Sequence, residues 1–486
     1  MTALPPGPSY PPVVQTYLAL RNPFAFLDEC AARYGDFFTT RFVGAPTIVN
    51  IDNPEAIREV FGASPEQARA GEANLPIEFL LGRGSLLMLD GKRHERERRL
   101  LMPSFHGERM SAYLSRMVAS TEHLVDRTEL GQTFSLHEAM QTITLDVIME
   151  CVFGMAPGPR YDRLQELLKR LMTLGSSPAA AAFTTLINGS RLRELLVARV
   201  APLAERLATL GGLDRALPLG ELARCLRDVE ALLYEDMAER RASGTKDRDD
   251  VMSMLMEARD ETGRGLSREE LRDEMITLLI AGYETTATTL TFALYELSTR
   301  PDVHEAVKAE LGRVAGKGPL TAEAIRELRY IDALLKETLR LYGPASGFRR
   351  KLAEPMRLGG YDLPAGVLVT ASTYLLHRNP RIWPDPLRFD PARFLDQRPR
   401  PGEFIPFGGG PRTCLGMAFA LFEAKTVVAT LLTRAELRPA PAPPLRLAQR
   451  GFVFGPSHAA PFVLESRTPK VPVKGASGAR STQLAS

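Results

Sequence analysis

The chain has 486 residues, 44% of them hydrophobic and 24% charged, with 61 basic side chains against 58 acidic ones. That near-balance excludes a nucleic-acid interface built on bulk charge, and no run of about eighteen apolar residues exists to form a helical membrane span. The four cysteines (Cys30, Cys151, Cys225 and Cys414) form no C-x-x-C pair, which argues against a disulfide framework or zinc site and points to a reducing cytoplasm.

The N-terminal MTALPPGPSYPP lacks the basic and apolar runs of a signal peptide. Its prolines predict an extended segment laid on a surface. Residues 35–51 alternate, carry β-branched side chains and turn at Gly44-Ala45-Pro46, which reads as a β-hairpin. In the run Gly91 to Arg98, His94 and Arg98 are four apart and share a helix face, while Lys92, Arg96 and Arg99 fall on the opposite, basic face. Residues 173–220 are rich in alanine, leucine and proline and are broken by Gly175, Pro178, Gly189 and Gly211-Gly212.

A capping box, Ser267 with Glu270, then opens a long helix that Pro301 closes. Its length of about 50 Å must cross a whole domain. Its centre, Ala281-Gly282-Tyr283-Glu284-Thr285-Thr286, is weak in helix formers and holds a carboxylate. Residues 356–373 and, near the end, 451–464 read as further strands. The whole predicts a mainly α fold with small β-sheets (α+β). The polar, small-residue stretch 467–486 predicts a disordered tail.

The strongest chemical signal is Phe407-Gly-Gly-Gly-Pro-Arg412-Thr-Cys414-Leu-Gly416. Glycines let the backbone approach a sulfur, and amide N–H groups aimed at it favour thiolate. The apolar run Met417 to Leu432 would start a helix whose positive dipole end points at Cys414.

This string resembles the haem-ligand loop of the cytochrome P-450 family at every defined position. Glu337-Thr-Leu-Arg340 resembles the family's E-x-x-R helix, Pro391-Ala-Arg393-Phe394 its P-x-R-F element, and Ala281 to Thr286 its oxygen-binding groove. The likeness implies a single haem-thiolate domain over 1–466, with the long helix above a buried haem b and O2 as co-substrate. It implies Cys414 as iron ligand, and Thr285 and Glu284 as the proton relay. Gly282, Phe407, Arg412 and Gly416 would lie against haem. His94, Arg98 and either Arg349 or Arg350 would hold its propionates, and Glu337, Arg340 and Arg393 would form a buried triad.

The resemblance also places the substrate pocket around Leu75, Phe79, Ala281, Ala345, Ser346, Phe348 and Val453, with 173–220 including a lid. So apolar a lining implies a fatty acid, terpenoid, steroid or polyketide. Arg69 and Arg83 are candidates to grip a carboxylate. Electrons would come from a separate ferredoxin or flavodoxin with its reductase, and the basic face of Lys92, Arg96 and Arg99 is a candidate docking surface.

Overall fold

The computed structural model describes residues 4–105, 109–175, 218–245, 248–316, 320–450 and 453–469. The long helix runs Arg268–Thr299, 32 residues, with the capping box formed in both directions. Pro301 opens the next helix, Pro301–Val314, at a position where its missing N–H costs nothing. From Thr286 to Leu294 every residue of the long helix is buried. A helix enclosed on all sides is a core element rather than an amphipathic surface one. It packs on helices Leu136–Cys151, Arg329–Tyr342 and Met417–Arg434, and these elements share one large apolar core.

The hairpin forms as expected: Phe37–Thr40 pairs antiparallel with Ile48–Ile51, and Gly44 takes the left-handed conformation at the turn (φ 73°). The proline-rich N-terminus lies along its outer strand, where Pro6 O accepts from Thr39 N–H at 2.8 Å and Pro5 O from the Thr39 hydroxyl at 2.7 Å.

That hairpin is one side of a five-stranded sheet. Ile48–Ile51 runs parallel to Leu368–Ser372, which pairs antiparallel with Gly347–Leu352, and Ala68–Arg69 closes the far edge. The strand Gly347–Leu352 was not foreseen, because its arginines and lysine mask a period of two. Phe348, Arg350 and Leu352 point one way, and Gly347, Arg349 and Lys351 the other. Two strands foreseen within 356–373 form a hairpin of their own, Met356–Leu358 with Tyr361–Leu363. The last strand, Pro461–Arg467, pairs with Ala435–Pro439 and Thr133–Ser135. It still holds Arg467, whose guanidinium donates to Thr128 O at 3.0 Å. The expected lid falls mostly outside the described residues, as does the tail from residue 470.

Candidate functional site

Cys414 sits between a 3-10 turn, Gly410–Arg412, and the helix Met417–Arg434. The loop is closed by the Cys414 N–H donating to Phe407 O at 2.9 Å. Gly408 and Gly410 both take positive φ (71° and 64°). A Cβ on Gly410 would come 2.2 Å from the Phe61 carbonyl oxygen, and one on Gly409 would come 2.4 Å from the Phe61 ring. No side chain fits either place, so the loop is wedged against the end of helix Pro54–Gly62. The N–H groups of Gly416 and Met417 donate to the sulfur. Burial pushes the Cys414 thiol up, and those two amides and the Arg98 charge oppose it. Yet Cys414 presents accessible surface. A buried environment with accessible surface means an internal hollow rather than bulk solvent.

Three arginine cations and a histidine gather beside this loop. His94 is buried, and its pKa is pulled down to about 3, first by burial, then by Arg412, Arg98 and Arg350. Arg350 and Arg412 are each pulled down to about 10, chiefly by burial. Arg412 donates to Leu89 O at 2.7 Å, and its nearest carboxylate, Asp90, is 3.9 Å away. Asp90 is itself occupied by the N–H groups of Ala70, Gly71 and Glu72. Three arginines and a histidine thus share one distant carboxylate, an arrangement that calls for an anion. A haem fits this donor set. Cys414 Sγ would ligate the iron, and the cations would meet the two propionates. Arg350 belongs to the cluster. Arg349 does not: it projects from the opposite face of the strand.

Phe348 departs from its expected place in the pocket. Its ring meets Phe61 edge-on at 6.3 Å, and a Cβ on Gly408 would lie 3.1 Å from it. It packs the sheet onto the cysteine loop because it shares a face with Arg350, whose guanidinium lies 5.0 Å from the same Phe61 ring.

At the centre of the long helix the Thr285 hydroxyl donates to Ala281 O at 2.6 Å, and Ala281 presents accessible surface within the core. Gly282 faces away. A Cβ there would meet Ile148 Cδ1 at 2.9 Å, so the glycine serves a close helix crossing rather than an approach to a cofactor. Glu284 also turns toward helix Leu136–Cys151. It accepts from Gln141 Nε2 at 2.7 Å and lies 3.2 Å from His137 Nε2, while His137 Nδ1 lies 3.0 Å from Thr291 Oγ1. His137 and Gln141 escaped the sequence reading. The signal was available, since they are four apart and so share one face of a helix.

The triad assembles. Arg340 grips both oxygens of Glu337 (2.7 and 2.8 Å) and donates to His377 O and Pro386 O. Arg393 Nε stands 3.4 Å from Glu337 Oε1. Glu337 and the Arg340 side chain are fully buried. A third unforeseen residue, His377, accepts the Ile405 N–H at Nε2 (3.0 Å), two residues ahead of Phe407.

Of the remaining pocket candidates, Leu75 lies on the 3-10 helix Glu72–Ile77, and Phe79, 38% exposed, on Glu78–Leu81. Ala345 and Ser346 precede strand Gly347–Leu352, and Val453 opens a strand that packs against the long helix. Arg69 and Arg83 are already paired with Glu72 and Glu78. The basic docking face is largely neutralised too: Arg96 pairs with Asp260 and Arg99 with Glu261.

A family model for cytochrome P450 matches residues 5–193 and 218–460. The Mycobacterium tuberculosis (strain ATCC 25618 / H37Rv) cytochrome P450 135B1 is 36% identical over 436 residues, covering 89% of this chain and 85% of the relative. Cytochrome P450 138 of the same strain is 32% identical over 470 residues, covering 94% and 98%. Among solved structures, retinoic acid-bound cyanobacterial CYP120A1 superposes with a TM-score of 0.79 at 24% identity, covering 96% of this chain and 100% of that one. The haem domain of cytochrome P450DA gives 0.78 at 25%, covering 96% and 99%. No described helix is long and apolar enough to cross a membrane. The chain belongs to the cytochrome P450 family and is a haem b-dependent monooxygenase that uses O2 as co-substrate.

Proposed function

We propose that Cys414 is the iron ligand of a monooxygenase that oxidises an apolar small molecule of the fatty-acid, terpenoid, steroid or polyketide type. The carrying observation is the Cys414 sulfur, held at a helix N-terminus by two amides inside an internal hollow, beside a cluster of His94, Arg98, Arg350 and Arg412 whose nearest acid is Asp90. Haem, when bound, supplies dioxygen activation, and thiolate ligation favours O–O cleavage. The protein positions the substrate and controls protons.

Glu284 and Thr285 are adjacent on one helix, with Ala281 one turn before them. Thr285 can release its bond to Ala281 O and offer its hydroxyl to the hollow. Glu284, backed by His137 and Gln141, would pass protons from the interior side. Leu75, Ala345 and Val453 supply the apolar surroundings that such a substrate requires. Electrons would come from a separate ferredoxin or flavodoxin with its reductase. The family match fills residues 5–460 with one break, so that stretch holds no flavin domain.

The test is the absorption spectrum of the reduced protein under carbon monoxide. Wild type should show the strongly red-shifted Soret band of a thiolate complex, and Cys414→Ala should lose it together with turnover. Full turnover by Cys414→Ala would refute the ligand assignment.

A further inference from the structure

Arg349 stands apart from every other arginine near the hollow. Strand alternation sends it to the face opposite Phe348 and Arg350, away from the propionate cluster. Its same-face neighbour two residues on, Lys351, is satisfied by Glu72 at 3.1 Å. Arg349 has no such acid: its guanidinium makes no hydrogen bond or ion pair among the described residues. Burial alone pulls its pKa below the ordinary arginine value, with no charged neighbour contributing. Like Cys414, it nonetheless presents accessible surface, so a ligand can reach it. Its register partner across the sheet, Thr370, shares that face and has a buried hydroxyl with no hydrogen-bond partner. Arg349 is also next in sequence to Phe348, which touches the cysteine loop.

An arginine stays charged in any protein environment, and a buried guanidinium without an anion is costly. Arg69 and Arg83, the sequence's own candidates for this task, are paired. Haem propionates are the rival anions, but they belong with His94, Arg98, Arg350 and Arg412. None of these groups perturbs Arg349, whereas Arg412, Arg98 and Arg350 all perturb His94. We propose that Arg349 anchors a carboxylate on the substrate, so that the preferred substrates are apolar acids rather than their neutral counterparts. This deepens the haem-thiolate reading and rests on it.

The experiment titrates the purified haem-loaded protein with dodecanoic and hexadecanoic acids and with their methyl esters. It follows the low-to-high-spin absorption change that accompanies substrate entry. In wild type at least one acid should bind at least about tenfold more tightly than its ester, as a charge-assisted bond requires. Arg349→Gln should abolish that preference while keeping the ester's affinity and the thiolate–carbon monoxide band, and Arg349→Lys should recover part of it. The proposal is overturned if acid and ester bind alike in wild type, if neither acid shifts the spin state, or if the preference survives in Arg349→Gln. It is equally overturned if Arg349→Gln loses haem as Arg350→Gln should, because Arg349 would then be a propionate ligand. A wild-type protein lacking the thiolate band would sink the parent reading instead.

Discussion

Protonation of His377 should unlatch the segment that leads into the cysteine loop. The ring is 1% exposed, and its Nε2 must stay unprotonated to accept the Ile405 N–H. Burial, with Arg340 and Arg378 close by, pulls its pKa down to about 3 from the ordinary 6.5. The unfolded chain therefore takes up this proton first as pH falls. Stability from this group is full above about pH 6.5 and declines steadily toward pH 3. Linkage at about 1.4 kcal/mol per pH unit gives a loss of about 2 kcal/mol between pH 7 and pH 5. His377→Gln keeps an acceptor for Ile405 and removes the titration. Urea unfolding of the haem-loaded protein, followed by the Soret band at both pH values, measures the difference. The midpoint of wild type should fall further on acidification than that of His377→Gln, which cancels contributions from His94 and other shared groups. Equal pH dependence in the two proteins would refute the reasoning.

Arg340→Ala strands the buried Glu337 carboxylate with Arg393 3.4 Å away, and should cost about 3–5 kcal/mol. The haem-to-protein ratio of the purified variant should drop sharply, and normal loading would contradict the structural role. Gly410→Ala forces a Cβ onto the Phe61 carbonyl at positive φ, so haem should be lost at a lower temperature than in wild type. Gly62→Ala, which meets nothing within 4 Å, should behave as wild type. Thr285→Ala should retain haem and the thiolate–carbon monoxide spectrum but divert reducing equivalents to hydrogen peroxide. Unchanged coupling of electron use to product would remove Thr285 from the proton path.

The long helix was legible to within a residue or two, because a capping box and a proline mark its ends. The cysteine loop was legible because glycine, arginine and cysteine must recur at fixed spacing for a backbone to enclose a sulfur. What escaped is directional. The family resemblance put Glu284 and Gly282 beside the groove, but helix Leu136–Cys151 packs so closely that both turn toward it, bringing His137 and Gln141 into the site. Phe348 read as pocket because the family resemblance assigns the segment Ala345 to Phe348 to it, and only the strand's alternation shows that the ring packs on Phe61. The choice between Arg349 and Arg350 hinged on the same alternation, invisible while the strand went unrecognised. Lys92, Arg96 and Arg99 looked like a free basic stripe because the partners of Arg96 and Arg99, Asp260 and Glu261, lie more than 160 residues away in the chain.

The contact between Gly282 and Ile148 has a practical side. Residue 148 touches the long helix one turn from Thr285 yet lies on the far side of it from the hollow. Exchanging Ile148 for smaller or larger aliphatic residues would let the helix settle closer or hold it further off, moving the threonine and glutamate as a rigid pair. An engineer could use that position as a tuning screw, adjusting oxygen chemistry and its waste while every wall of the substrate chamber keeps its original side chains.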